Sequence, residues 1–238
     1  MKIAVMSDIH GNLAALKAVL TDIESKEVDT VCCAGDLVGY GPFPYEVIGL
    51  IEEKTIPCVS GNYDHAIGNS RIVCRCRYKD EEWAQIGADS IRWTLKNITE
   101  TNKEYLRELP FGLAVGTENH GVRIVHGSPR RNYEYLDVDM DDTALNRLIF
   151  TCRTDVLVCG HTHIPYVRKI GDKLLVNAGS VGLPKHGDPR ASYCIIELNG
   201  GAEAKISYVE YDFESTASAI IKRGLPAQLA EVVKTGTV

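Results

Sequence analysis

Short apolar runs ending in polar, glycine-bearing loops recur along the first sixty residues. Lys2 to Ser7 reads as a strand that empties into Asp8-Ile9-His10-Gly11-Asn12. Leu13, Leu16, Ala18, Val19, Leu20 and Ile23 then recur at helical spacing, with Asn12 as the candidate cap. The order repeats: Thr30 to Ala34 is β-rich, Gly35-Asp36-Leu37 ends it, and Tyr45 to Glu53 is a helix candidate after Pro42 and Pro44. Ile56 to Val59 reads as a third strand, running into a loop at Ser60-Gly61-Asn62-Tyr63-Asp64-His65. Residues 80 to 109 read as helical with a break near Asn97-Ile98-Thr99. From Leu113 the pattern turns β-rich: 113–116, 122–125, 156–159, 166–170, 174–176, 193–198 and 204–211 are strand candidates, with Asp141 to Phe150 an intervening helix. Phe213 to Arg223 reads as the last helix, and Lys234 onward as frayed.

Strands alternating with helices, then clustered strands, predict an α/β chain with two sheets in a single domain over residues 1–238. No linker composition or internal repeat interrupts it. With 45% hydrophobic and 24% charged residues, the chain is neither disordered nor low-complexity. The formal charge of −6 disfavours bulk nucleic acid or an anionic membrane as partner, yet permits a small phosphorylated substrate. No apolar run approaches the roughly 18 residues of a membrane span, and the eight cysteines include no CxxC pair. The expectation is reduced thiols in a cytoplasmic protein without a zinc ribbon. A homo-oligomer stays open.

Potential metal ligands fall almost without exception at the carboxyl ends of the expected strands: Asp8 and His10, Asp36, Asn62 with Asp64 and His65, His126, and His161 with His163. Loops beyond strand carboxyl ends converge on one crevice in α/β sheets, so residues far apart in sequence can meet there. Mixed oxygen and nitrogen donors suit Mn, Fe, Zn or Co better than Mg or Ca.

Asp8-Ile9-His10, Gly35-Asp36, Gly61-Asn62-Tyr63-Asp64, His126-Gly127 and Gly160-His161-Thr162-His163 together resemble the five signature blocks of the calcineurin-like metallophosphoesterase superfamily, in the family's order. Asn177-Ala178-Gly179-Ser180-Val181-Gly182 and Gly187-Asp188-Pro189-Arg190 extend the likeness to the small bacterial and archaeal phosphodiesterase branch. The resemblance implies a four-layer α/β/β/α sandwich of two packed, mostly mixed sheets flanked by helices. It also implies two divalent ions (Mn, Fe, Zn, Co or Ni). Asp8, His10 and His163 would hold one, Asn62, His126 and His161 the other, and Asp36 would bridge them. A hydroxide shared by the ions would attack phosphorus in line, without a phosphoenzyme.

One residue departs from the family pattern. Many members carry His directly after the motif's Asn; here it is Tyr63, whose hydroxyl, with a reference pKa of about 10, is a poor acid at neutral pH. His65 is the candidate substitute, and activated or anhydride leaving groups are the expected preference. Asp64 is expected to orient a neighbouring ligand or loop. Arg130, Arg131 and Arg190 are candidate phosphate forks, and Asn177 and Ser180 candidate substrate contacts, whereas His120 and His186 read as exposed loop residues. The expectation is a phosphodiesterase-like hydrolase. Its rivals are a phosphomonoesterase, nucleotidase or dinucleoside polyphosphate hydrolase and, from another class, a metal-retaining scaffold or regulatory module.

Overall fold

The computed structural model describes residues 1–118 and 120–238. Its strands are β1 (Lys2–Met6), β2 (Thr30–Cys33), β3 (Gly112–Gly116), β4 (Gly121–Val125), β5 (Val156–Cys159), β6 (Tyr166–Ile170), β7 (Lys173–Asn177), β8 (Ala191–Leu198) and β9 (Ala202–Val209). Its helices are α1 (Leu13–Glu24), α2 (Pro44–Glu53), α3 (Asn62–Gly68), α4 (Glu81–Lys96), α5 (Glu100–Glu108), α6 (Asp142–Cys152), α7 (Phe213–Lys222) and α8 (Gln228–Thr235). One sheet runs β2-β1-β8-β9 and the other β3-β4-β5-β7-β6. Both are mixed: β1 pairs parallel with β2 and antiparallel with β8, and β5 pairs parallel with both β4 and β7.

Period-two alternation sorts side chains between layers. In β1, Ile3 and Val5 join Val122, Ile124, Val156, Val158 and Val176 between the two sheets, while Ala4 and Met6 face the helical layer containing α1, α2, α7 and α8. In β5 the alternate residues Leu157 and Cys159 pack against Leu145, Leu148 and Ile149 of α6. The result is helix, sheet, sheet, helix. Each fully buried Ile, Val or Leu contributes on the order of 1.5–3 kcal/mol, which is why these strands carry apolar residues on both faces. No helix among the described residues is long and apolar enough to cross a membrane.

Asn12 caps α1 as expected, accepting a hydrogen bond from Ala15 N at 3.1 Å. Three local expectations are corrected. Residues 56–59 form an isolated bridge between Cys58 and Cys33, since Pro57 has no N–H to extend a ladder. The loop expected at Asn62 begins the short helix α3, whose seven residues are too few to show a helical period. Residues near Lys234 are not frayed: α8 buries Leu229, Val232 and Val233 at i, i+3, i+4 spacing and stops at Gly236 with φ +67°. Leu229→Ala, which empties a fully buried position in this helix, is expected to cost about 2–4 kcal/mol in a denaturant titration; a loss under about 0.5 kcal/mol, within the range of surface substitutions, would show that α8 is peripheral to the core.

Candidate metal centre

Strands β1, β2, β4 and β5 deliver their carboxyl-terminal loops to one end of the sandwich. Asp8 and His10 follow β1, Asp36 follows β2, His126 follows β4, and His161 and His163 follow β5. All are at most 4% exposed. Five of these six residues lie in the left-handed backbone region: Asp8 (φ 53°), His10 (48°), Asp36 (55°), His161 (67°) and His163 (62°). Such backbone is costly for non-glycine residues and persists only where the surroundings over-determine it. Here they do: Asp8 N bonds Gly35 O, His10 N bonds Asp36 O, and Gly182 N bonds Asp8 O, all within 3.0 Å. Close approach of the loops also demands glycine. A Cβ on Gly61 would lie 2.0 Å from Asp36 Oδ1, and one on Gly160 would lie 1.9 Å from Ser7 Oγ.

Backbone carbonyls orient the imidazoles. His10 Nδ1 lies 3.0 Å from Val38 O, His126 Nδ1 lies 2.8 Å from Ala34 O, and His163 Nδ1 bonds Leu183 O. His10 and His163 therefore carry their proton on Nδ1 and turn the Nε2 lone pair inward, as metal-binding histidines do, while His126 is held by the same kind of contact with its Nε2 facing Asn62 Oδ1. The Tyr133 backbone acts on the His161 ring in the sense that favours protonation, and the ring's Nε2 is buried without a partner among the described residues. Asn62 is oriented by its amide nitrogen, which donates to Cys74 O at 3.1 Å and Cys76 Sγ at 3.2 Å, leaving Oδ1 2.9 Å from His126 Nε2.

The two carboxylates are similarly half-used. Asp8 Oδ2 accepts from Ser7 Oγ at 2.6 Å and His161 N at 3.0 Å, while Oδ1 is buried with no hydrogen bond, 3.2 Å from His163 Nε2 and 3.7 Å from His10 Nε2. Asp36 Oδ1 accepts from Tyr63 N at 2.8 Å, while Oδ2 lies 3.7 Å from His10 Nε2 and 3.4 Å from His126 Nε2. Donors bound at 2.0–2.1 Å around a tetrahedral ion are themselves roughly 3.4 Å apart. The orphaned Asp8 and His161 atoms and these separations fit divalent cations. Burial holds the His10 imidazole down at about 4 and also lowers His161 and His163 well below the ordinary imidazole value, so all three are neutral near pH 7, the form that ligates metal. For His126 burial acts in the same direction, but facing Asp36 and Asp8 overcome it and raise the imidazole to about 10.

The remaining candidates divide by position. Asp64 lies beneath the ligands: its oxygens accept from Asp36 N (2.7 Å), Leu37 N (2.8 Å) and Gly61 N (3.0 Å), clamping the Asp36 loop to the Asn62 loop. Tyr63 is buried, its ring 5.4 Å from His10 and 4.7 Å from Tyr40, with its hydroxyl 3.4 Å from that of Tyr78. Asn177 and Ser180 are buried as braces. Asn177 donates to Gly160 O at 2.7 Å, and Ser180 donates to Asp8 O at 2.8 Å. Arg190 forks onto Asp188 and stacks 5.0 Å from Tyr208, so its guanidinium is already engaged. His65 stands at the rim near Arg71, with Arg130 and Arg131 lining the same cleft.

Several neighbours carried no signal in the sequence. Tyr135 stacks 4.0 Å from His161, and the half-buried Lys185 lies near enough for Asp8 and Asp36 to act on its charge. Burial lowers its pKa, although those carboxylates favour its protonated form. Cys74 and Cys76 are free thiols whose sulfurs touch at 2.6 Å beside Asn62. Their adjacency was visible, but not the amide they orient.

Residues 1–201 match the calcineurin-like phosphoesterase superfamily domain. An uncharacterised protein of Methanocaldococcus jannaschii is 35% identical, over 96% of each chain. Phosphodiesterase YfcE of Escherichia coli K12 is 26% identical over 83% of this chain and 88% of its own. The crystal structure of a metallophosphoesterase from Sphaerobacter thermophilus superposes with a TM-score of 0.79 at 30% identity, covering 100% of this chain and 99% of that one. A protein of Pyrococcus horikoshii OT3 shares the fold, with a TM-score of 0.85 at 23% identity over 99% and 98% of the two chains. With the domain match spanning the blocks that supply these inward-facing donors, the chain belongs to the calcineurin-like phosphoesterase superfamily and is a metal-dependent phosphoric ester hydrolase.

Proposed function

We propose that the protein is a dinuclear enzyme hydrolysing a phosphodiester or phosphoanhydride bond in a small phosphorylated substrate. The observation that carries this reading is the position of Asp36 Oδ2 between His10 Nε2 and His126 Nε2, at 3.7 and 3.4 Å. One carboxylate oxygen there serves two donor groups: Asp8, His10 and His163 on one side, and Asn62, His126 and His161 on the other. Oxygen and nitrogen donors in this ratio suit Mn, Fe, Zn, Co or Ni. When bound, two such ions acidify a shared water and offset charge on the phosphoryl oxygens.

The chain's own residues prepare that chemistry. The backbone carbonyls orient the imidazoles, Asp64 holds the Asp36 and Asn62 loops in register, and Lys185 adds positive charge beside the carboxylates. Tyr63 does not supply a mobile proton: burial raises its pKa well above the ordinary phenol value, and its hydroxyl lies against Tyr78. His65 turns its ring to Arg71 in the neighbouring cleft and is engaged there. Without a proton donor on the leaving side, the enzyme favours leaving groups that depart as stable anions. The phosphodiesterase name of YfcE supports the diester alternative.

Metal-loaded protein is expected to hold two ions per chain by anomalous scattering. It should hydrolyse bis(4-nitrophenyl) phosphate, with Asp36→Asn lowering turnover more than the roughly 10–100-fold typical of residues that only support ligands. Full activity in Asp36→Asn would sink the two-ion reading, and two bound ions without turnover of any diester, monoester or dinucleoside polyphosphate would favour the scaffold reading. Asp64→Asn should fold but bind metal about 10–100-fold more weakly, as measured by competition with a chelating dye; unchanged affinity would remove its positioning role. Simple dialkyl phosphates should be turned over far more slowly than the nitrophenyl diester, and equal rates would show that a proton donor has been overlooked.

A further inference from the structure

Beside the metal centre, with Asn62 in its wall, lies a cleft of about 260 Å³ lined also by His65, Arg71, Arg75, Arg130, Arg131 and Tyr133. Its charge balance is unlike that of the chain, whose formal charge is −6. Arg130 is neutralised by Glu134, through Nε at 3.1 Å and Nη2 at 2.5 Å. Arg71, Arg75 and Arg131 form no salt bridge among the described residues, whereas Arg77 on the same segment as the first two does pair, with Asp137 at 3.1 Å.

These guanidiniums are also held close together. Arg75 and Arg131 share one aromatic ring, 4.8 and 5.9 Å from the Tyr133 centroid. Arg71 Nη1 lies 3.4 Å from His65 Nε2, and burial together with Arg71 and Arg75 lowers the His65 pKa, keeping its ring neutral and able to accept from the guanidinium. Like charges gathered without counter-ions in an acidic protein raise its free energy unless an anion enters between them. Guanidinium forks fit phosphate oxygens in two-point contacts. The cleft, at about 260 Å³, has room for a phosphoryl group between the guanidiniums.

We propose that this cleft binds a second phosphate of the substrate while the scissile phosphate lies over the metal centre, so that compounds with two or more phosphate groups are preferred to simple diesters. The proposal rests on the phosphoesterase reading above, and names its substrate class. Asn62, common to both walls, sets the two phosphates side by side. His65 and Arg131 thereby become specificity residues that recognise the part of the substrate that does not react.

The test uses the full metal-loaded chain and Arg71→Gln/Arg75→Gln, two exposed positions whose replacement leaves the core untouched. Both proteins are assayed on diadenosine tetraphosphate and on bis(4-nitrophenyl) phosphate, which has no second phosphate. The variant should lose about tenfold or more in kcat/KM on the tetraphosphate, through KM, and stay within about twofold on the nitrophenyl diester. Arg71→Lys/Arg75→Lys should recover part of the loss, since charge remains while the fork is gone. Equal losses on both substrates, or none on either, overturn the proposal. If the wild type hydrolyses neither compound, the diester and phosphoanhydride reading of the proposed function fails on its own. The cleft is then judged by calorimetry of inorganic pyrophosphate binding to metal-free protein: binding weakened about tenfold by the double Gln variant supports a phosphate cleft, and absent or unaffected binding overturns it.

Discussion

The structure turns on the Asp36 carboxylate, almost wholly buried and set between two groups of inward-facing donors. Burying a carboxylate is costly unless it is paired. Burial alone would raise Asp36, yet His126, His10 and His161 hold it at about 2, so its charge is retained where water is excluded. Asp8 is less well compensated: burial, joined by the Asp36 charge, outweighs His126 and the hydrogen bonds from Ser7 and His161 and pushes it up to about 6. The unsatisfied Oδ1 of Asp8 and Nε2 of His161 show that protein groups alone do not complete the arrangement. Divalent cations would complete it, and the candidate donor clusters around Asp8 are the place in the fold suited to them.

That arrangement explains features which otherwise look like local irregularities. Left-handed backbone at five candidate ligand positions turns each strand end sharply enough to aim its side chain at a common point. Gly61 and Gly160 let two loops pass within van der Waals distance of Asp36 and of the Ser7-Asp8 pair. Asp64, Asn177 and Ser180 spend their polar atoms on backbone groups of those same loops. The apolar layers between and outside the sheets provide the rigid platform against which this strain is held.

Outside the centre the polarity of the surface reverses. An acidic chain places three arginines without a salt bridge among the described residues beside the candidate metal centre, and packs Tyr135 against His161 and Tyr63 against His10. The substitution of Tyr63 for the histidine common in the family places a packing residue where an acid often stands. Leaving-group chemistry and charge recognition therefore become coupled: a phosphoanhydride leaves without protonation and also carries the extra phosphate that the arginines fit.

Much of this was legible in sequence because it is local. Strand ends, the Asn12 cap, the spacing of His161 and His163, and the order of the five blocks each depend on a few adjacent residues, and together they pointed to the α/β class and to a set of candidate metal donors. Pattern was less informative where a long-range contact decided the outcome. α8 forms by docking on the helical layer, whereas Pro57, which stops a ladder, and the fork of Arg190 onto Asp188 two residues away are local features that hydrophobic periodicity does not register. The roles of Asn177, Ser180 and Asp64 as braces, the amide orientation imposed on Asn62 by Cys74 and Cys76, and the meeting of Arg71 and Arg75 with Arg131 all join residues separated along the chain. The sequence by itself determined which donors exist and which strand ends bear them, because those depend on residue type and local period. Only the tertiary structure decided which donor atoms remain free and which charges are left uncompensated, because both are set by what the fold brings within a few ångströms.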